Sequence, residues 1–308
     1  MDAVNSSRSA TDDAKAREQG EQPTDIDQAE PRKPARRILE QEISEGLGEI
    51  RRSPTGLFIS GLSAGLDVGF SLFLMAVMYT YVHGQLSEPV VQILVANMYA
   101  VGFIFVIVGR SELFTEHTAL ATLPFLNGNA TLGDLARLWG LVYAANLLGA
   151  TIFAVLATVI GPSLGVIDPS AFGWIAHHVV DHPWWVILLS AVLAGWMMGL
   201  LSWLVAAGRD TISQIFLVWL VTTAIGFGKL HHSIVGTVEV LAGLFAGQDI
   251  TIADFGHFLL WTTIGNSIGG VVFVALIKYG HVVRSDNKKE DISLSEDSAQ
   301  TNARAESE

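Results

Sequence analysis

The sequence predicts an all-α integral membrane protein with six transmembrane helices arranged as an inverted repeat, the second and fifth of them broken. Three observations carry this. Half of the 308 residues are hydrophobic, the mean hydropathy is +0.43 and only 16% are charged, the composition of a multi-pass membrane chain and not of a soluble enzyme. The apolar residues gather in six stretches, near 56–83, 91–122, 134–161, 183–207, 212–246 and 254–281. The second and fifth are too long for a single crossing, which takes about 20 residues, and each contains a polar interruption: GRSELFTEHT at 109–118 and GKLHHS at 228–233.

Residues 1–36 are rich in Asp, Glu, Gln, Ser and Pro and hold hardly a large apolar group, so they are expected to form a disordered acidic tail. Over 37–52 the apolar residues Ile38, Leu39, Ile43, Leu47 and Ile50 fall near one helical stripe, with Glu40, Glu42, Glu45 and Glu49 largely off it. This predicts an amphipathic helix, lying against the membrane or the protein's own cytoplasmic face, or else an exposed linker. Residues 53–281 are expected to form the six-helix domain, and 282–308 a second disordered cytoplasmic tail. The first 50 residues carry 12 of the 30 acidic residues and 282–308 carry 7. The net charge of −12 therefore belongs mostly to the ends, and nothing in it invites nucleic acid. The absence of cysteine excludes a disulfide framework, a thiolate metal site and a cysteine nucleophile. No apolar segment with a cleavage site follows Met1, so no cleavable signal peptide is expected.

Basic residues set the orientation. Arg32, Lys33, Arg36, Arg37, Arg51 and Arg52 precede the first span, Arg137 follows the second, Arg209 follows the fourth, and Lys278, Arg284, Lys288 and Lys289 end or follow the sixth. The connections at 84–90, 162–182 and 247–253 contain no Lys or Arg. Both termini are thus expected on the cytoplasmic side of a cell inner (plasma) membrane.

Backbone that leaves the helix at membrane depth is tolerated only where protein or a wet cavity satisfies it. Interruptions at matching places of two three-span halves mark an inverted repeat with a site at its interface. The two interruptions also read alike: Gly109-Arg110 stands before SELFT, and Gly228-Lys229 before LHHS. Arg110 and Lys229 are the basic side chains expected well inside the spans. Together with the helix ends exposed at each break they would attract small anions. Each could equally be neutralised, Arg110 by Glu112 or Glu116 and Lys229 by Glu239. His231 and His232 share the second break, where imidazole can carry a proton near neutral pH. One of the pair is read as a pore group, against the alternative of an ordinary helix-to-helix hydrogen bond.

These residues resemble the formate/nitrite transporter family over roughly 37–281. The resemblance is carried by Leu113-Phe114-Thr115 at the first break, by Gly208-Arg209 ending the fourth span, and by His232-Ser233-Ile234 at the second. It implies an aquaporin-like inverted repeat in a homopentamer, with His232 as the central pore histidine and Thr115 as its partner from the opposite loop. It further implies apolar constrictions at Tyr99, Phe103, Leu113 and Ile225. The chain departs from the family pattern at Gly236 and Gly195, where asparagines are expected, and at Lys229, His231, Arg110 and Glu116. It resembles a divergent branch.

The expected function is a channel or proton-linked transporter for a small monovalent anion such as formate, nitrite or another short weak acid, with no cofactor, no metal and no enzymatic activity. The substrate-facing set is His232, Thr115, Lys229, His231, Arg110, Leu113, Phe103, Tyr99 and Ile225. A pore for water or a polyol is the alternative; neither break contains the Asn-Pro-Ala of such pores. A membrane enzyme or sensor would need a metal site among His117, His231, His232, His257 and nearby acids, and no pair has a recognised ligand spacing. His177, His178 and His182, beside Trp184 and Trp185, are expected in an external interfacial loop. The small residues Ala144, Ala145, Gly149, Gly265, Gly269 and Gly270 permit close helix contacts.

Overall fold

A computed structural model describes residues 33–284. The expected tails at 1–36 and 282–308 fall almost wholly outside the described residues. What is described is all-helical. Among these residues five helices are long and apolar enough to cross a membrane: Pro54–Val82, Glu88–Gly109, Leu132–Ser163, Trp184–Ala207 and Ile252–Arg284. Where the fifth span is expected stand two shorter apolar helices, Thr211–Phe227 and Ser233–Phe245.

In chain order, α1 (Ala35–Arg51) precedes α2 (Pro54–Asp67) and α3 (Gly69–Val82), which meet at Val68. Then come α4 (Glu88–Gly109), α5 (Phe114–Leu120), α6 (Thr122–Leu126) and α7 (Leu132–Ser163). The second half holds α8 (Pro169–Val180), α9 (Trp184–Ala207), α10 (Thr211–Phe227), α11 (Ser233–Phe245) and α12 (Ile252–Ile268), which continues through a π-helical segment, Gly269–Leu276. The first break thus follows a helix of 22 residues, already of crossing length, while the second follows one of 17.

The repeat is visible atom by atom. On α7 the Asn146 amide oxygen accepts from the Phe114 N–H (2.8 Å), and its nitrogen donates to Gly61 O (2.7 Å) and Glu112 O (2.9 Å). On α12 the Asn266 oxygen accepts from the Ser233 N–H (2.8 Å), and its nitrogen donates to Ala191 O (2.8 Å) and His231 O (3.0 Å). Each amide therefore closes the orphan donors and carbonyls of one break, which is what lets the chain leave the helix inside an apolar bundle. The helices that carry them start alike, with Thr131–Asp134 and Thr251–Asp254 capping boxes. They also dock alike. A Cβ on Gly149 would meet the backbone of Leu62, Gly65 and Leu66, and one on Gly269 the backbone of Val192, Gly195 and Trp196. These small residues hold helices together within the chain, as Gly265 does against Leu188 and Ala191.

Two sequence expectations change here, at Glu42 and at the connection 162–182. The helix at α1 is docked on the protein: Ile38 and Leu39 pack with Leu123, Trp203 and Ala206. Glu42, expected off the buried stripe, is 3% exposed, with the Ser202 hydroxyl 3.0 and 2.9 Å from its two carboxyl oxygens. Burial of the carboxyl pushes its pKa up from 4.5 to about 8, with Ser202 pulling the other way. The connection at 162–182, expected as a loop, contains α8. Asp168 caps it by accepting from the Ser170 N–H (2.9 Å), and its Ala176 and Val179 pack with Val240 and Phe258.

Candidate functional site

Both breaks end a helix in the same way. Arg110 and Lys229 take left-handed backbone (φ 59° and 50°), and the residue after each bonds back across the last turn, Ser111 N to Val106 O and Leu230 N to Ile225 O, both at 3.0 Å. This is the Schellman-type stop that glycine usually provides. A long cationic side chain in that conformation costs about 1–2 kcal/mol, a strain retained twice, at equivalent places.

Beyond the stops the chain turns into α5 and α11 through Leu113 and His232, which occupy equivalent positions at the two helix starts. The two halves meet here. His232 Nε2 lies 2.7 Å from Thr115 Oγ1, and both residues are buried. His232 Nδ1 accepts from the Val235 N–H (3.3 Å); that leaves the proton of the neutral ring on Nε2, which donates to Thr115. Phe103 stands edge-on to the imidazole, 5.1 Å between ring centres, and Tyr99 lies 5.2 Å from Phe103. Leu113 and Ile225 are fully buried in the same apolar core. Gly226, next to Ile225, lets α10 approach Tyr99.

Two cavities open on either side of this group. Along α4, Gln92 to Tyr99 face one and Ile107 to Arg110 face the other, so about 12 Å of helix separates Tyr99 from Ile107 with Phe103 between. The cavity on the α1 side is acidic: Glu42, Glu45, Glu49, Glu112 and Glu116 line it with Arg110. The far cavity is mostly apolar and holds Lys229, His178, Tyr99 and Glu239.

The expected site residues therefore divide. His232, Thr115, Phe103, Tyr99 and Leu113 converge. Arg110 and Lys229 do not share one centre; they stand exposed in opposite cavities. Among the described residues neither forms an ion pair with the acids allowed for; Glu112 pairs with Arg52, which also holds Glu49 at 2.8 Å. His231 is held differently from His232. Its backbone N–H and its Nδ1 both meet Ser190 Oγ (3.2 and 2.9 Å), and its Nε2 meets Val179 O (3.0 Å). Its ring ties the break to α8 and α9, and no nitrogen is left for a solute. Asn146 and Asn266, which sequence reasoning passed over, position both breaks.

The family comparison agrees with this geometry. The model of the formate/nitrite transporter family matches residues 36–280. The chain belongs to the formate/nitrite transporter family. Among its relatives, the inner membrane protein YfdC of Escherichia coli K12 is 32% identical over 80% of this chain and 78% of its own length. The nitrite transporter NirC of Salmonella typhimurium is 30% identical over 73% of this chain and 82% of its own. The formate channel FocA of Escherichia coli K12 is 25% identical over 72% and 76%. A solved FNT family ion channel superposes with a TM-score of 0.72 at 25% identity, covering 79% of this chain and 98% of that one. A pentameric formate channel with formate bound superposes at 0.64 with 20% identity, over 75% and 98%, a likeness of fold.

Family membership sharpens the departures noted in the sequence. Gly236 stands where an asparagine was expected, and a Cβ there would run into the Phe258 ring. Phe258, fully buried on α12, fills that place. Gly195 likewise has the Asn266 backbone against it, so no larger residue fits.

Proposed function

We propose that this chain assembles as a homopentamer in the inner membrane, crosses it six times with both termini cytoplasmic, and passes a small monovalent anion such as formate or nitrite through each protomer, by channel flow or with a proton. The observation that carries the reading is the buried His232–Thr115 contact, 2.7 Å long, joining the two breaks between cavities on opposite sides. Tyr99, Phe103, Leu113 and Ile225 surround it with apolar surface that offers a hydrated ion no replacement for its water. The Nε2–H of His232 and the Thr115 hydroxyl are the polar atoms there, suited to receive a solute that has shed its water. Lys229 draws anions into the far cavity; Arg110 is the cation among the carboxyl groups of the other.

The relatives named for nitrite and formate transport support the substrate class. Uptake of radiolabelled formate and nitrite into proteoliposomes tests it. Accumulation of either anion above protein-free vesicles is the expected result; swelling in a polyol gradient with no anion uptake would instead identify a neutral-solute pore.

A further inference from the structure

Two polar groups of the far cavity, the Glu239 carboxyl and the hydroxyl of Tyr99, have no partner in the pathway just described, where Tyr99 serves through its ring. Glu239 lies on α11 about two turns beyond His232 and is 4% exposed. It makes no hydrogen bond or ion pair among the described residues. Tyr99 is equally buried, and its hydroxyl has no partner. Both side chains line the same cavity. The Tyr99 hydroxyl, fully buried and unpaired, carries a desolvation penalty, the Glu239 carboxyl lies on the cavity without a protein partner among the described residues, and a ligand there can bond to both.

The chemistry of that ligand follows from the pair. A phenol donates one hydrogen bond, and a carboxyl either donates one proton or accepts one. A planar monoanion with two oxygens on one centre can accept from Tyr99 Oη with one oxygen and share a proton with Glu239 through the other. Two ionised carboxylates in contact repel, so such a pair holds one proton between them. Lys229, which makes no ion pair among the described residues, lies in the same cavity and favours the anion's entry.

The remaining titratable groups facing α11 are engaged elsewhere. On α8, His178 Nδ1 meets Trp174 O at 2.6 Å, and His177 is held by Asp181 and Gln248 O. Tyr79 of α3 stacks on Trp174 and His83, and Tyr143 of α7 bonds Thr263. On α12, Asp254 belongs to a capping box and His257 is exposed. Glu116 and His117 of α5 open to the α1-side cavity. His232 cannot take an incoming proton without giving up the Val235 N–H bond that caps α11.

We infer that Glu239 and Tyr99 form a binding subsite in the far cavity for a planar monoanion bearing two oxygens on one centre, held together with one proton. The inference rests on the anion reading above and adds to it the place where anion and proton meet.

The test is titration calorimetry of the purified oligomer with sodium formate and sodium nitrite from about pH 5 to about pH 9, a range in which both ligands are anions. Because binding takes up a proton once Glu239 is ionised, wild-type affinity should fall about tenfold per pH unit in the upper part of the range. Glu239→Gln should bind with an affinity that does not change with pH, and Tyr99→Phe should bind about tenfold or more weakly while keeping the wild-type slope. An unchanged slope in Glu239→Gln, or undiminished affinity in Tyr99→Phe, overturns the subsite and leaves the transport reading standing. A wild-type protein that neither binds nor transports either anion overturns both.

Discussion

Thr115 and His232 belong to opposite halves of the chain and meet at 2.7 Å where the two broken segments approach each other. Neither break could stand there alone. Each needs an asparagine from the third helix of its own half to satisfy the backbone that leaves the helix, and the contact between them exists only because both breaks are held.

Asn146→Ala and Asn266→Ala should therefore destabilise the protein alike. Each substitution strands one buried N–H and two carbonyls, at about 1–3 kcal/mol per unsatisfied group. Thermal unfolding of the detergent-purified oligomer is the check, and a neutral result for either residue would contradict its place in the repeat.

The docking of α1 should loosen as pH rises. Glu42 has its pKa raised by burial to about 8 against 4.5 for the free carboxyl, so the docked helix prefers the protonated form. Docking is strongest below about pH 4.5, weakens as pH climbs towards about 8, and is level above that. Amide hydrogen exchange over 35–51, corrected for the intrinsic rate, should speed up across that window in wild type and stay level in Glu42→Gln.

Restoring bulk at Gly236 should fail unless Phe258 yields. Gly236→Ala forces a methyl into the Phe258 ring, an overpacking cost of about 1–3 kcal/mol. Combining it with Phe258→Leu should recover part of that loss. A melting temperature equal to wild type for Gly236→Ala alone would show that the ring moves freely.

Lys229→Gly should separate stability from transport. Glycine relieves the left-handed strain at φ 50°, worth about 1 kcal/mol, and removes the cation of the far cavity. Higher thermal stability with slower anion uptake is expected; equal uptake would show that the lysine's charge plays no part in entry.

Much of this was legible in the sequence because membrane helices declare themselves locally. The apolar stretches, the Gly-Arg and Gly-Lys stops and the Leu-Phe-Thr and His-His-Ser segments mark the breaks, and the repeated placement marks the two halves. What stayed hidden depends on contacts between distant residues. His231 and His232 are neighbours of one type, yet the α11 start turns one ring to Thr115 and the other to Ser190 and Val179. Asn146 and Asn266 look like stray polar residues in apolar runs. A signal existed, since each follows a Thr-x-x-Asp cap and precedes a glycine at the same spacing in both halves. The α8 helix was masked by its His and Trp content, although Asp168-Pro169 and the apolar residues at 171, 172, 175, 176 and 179 announce a capped amphipathic turn. Glu42 defied its polarity because Ser202, far away in the chain, receives it.

The central claim is that solute passes His232. Radiolabelled formate uptake into proteoliposomes, followed across external pH for wild type and His232→Phe, tests it most directly. Wild-type flux should rise as pH falls, and His232→Phe should lose that flux while remaining an intact oligomer. Unchanged flux with an unchanged pH response in His232→Phe would contradict it.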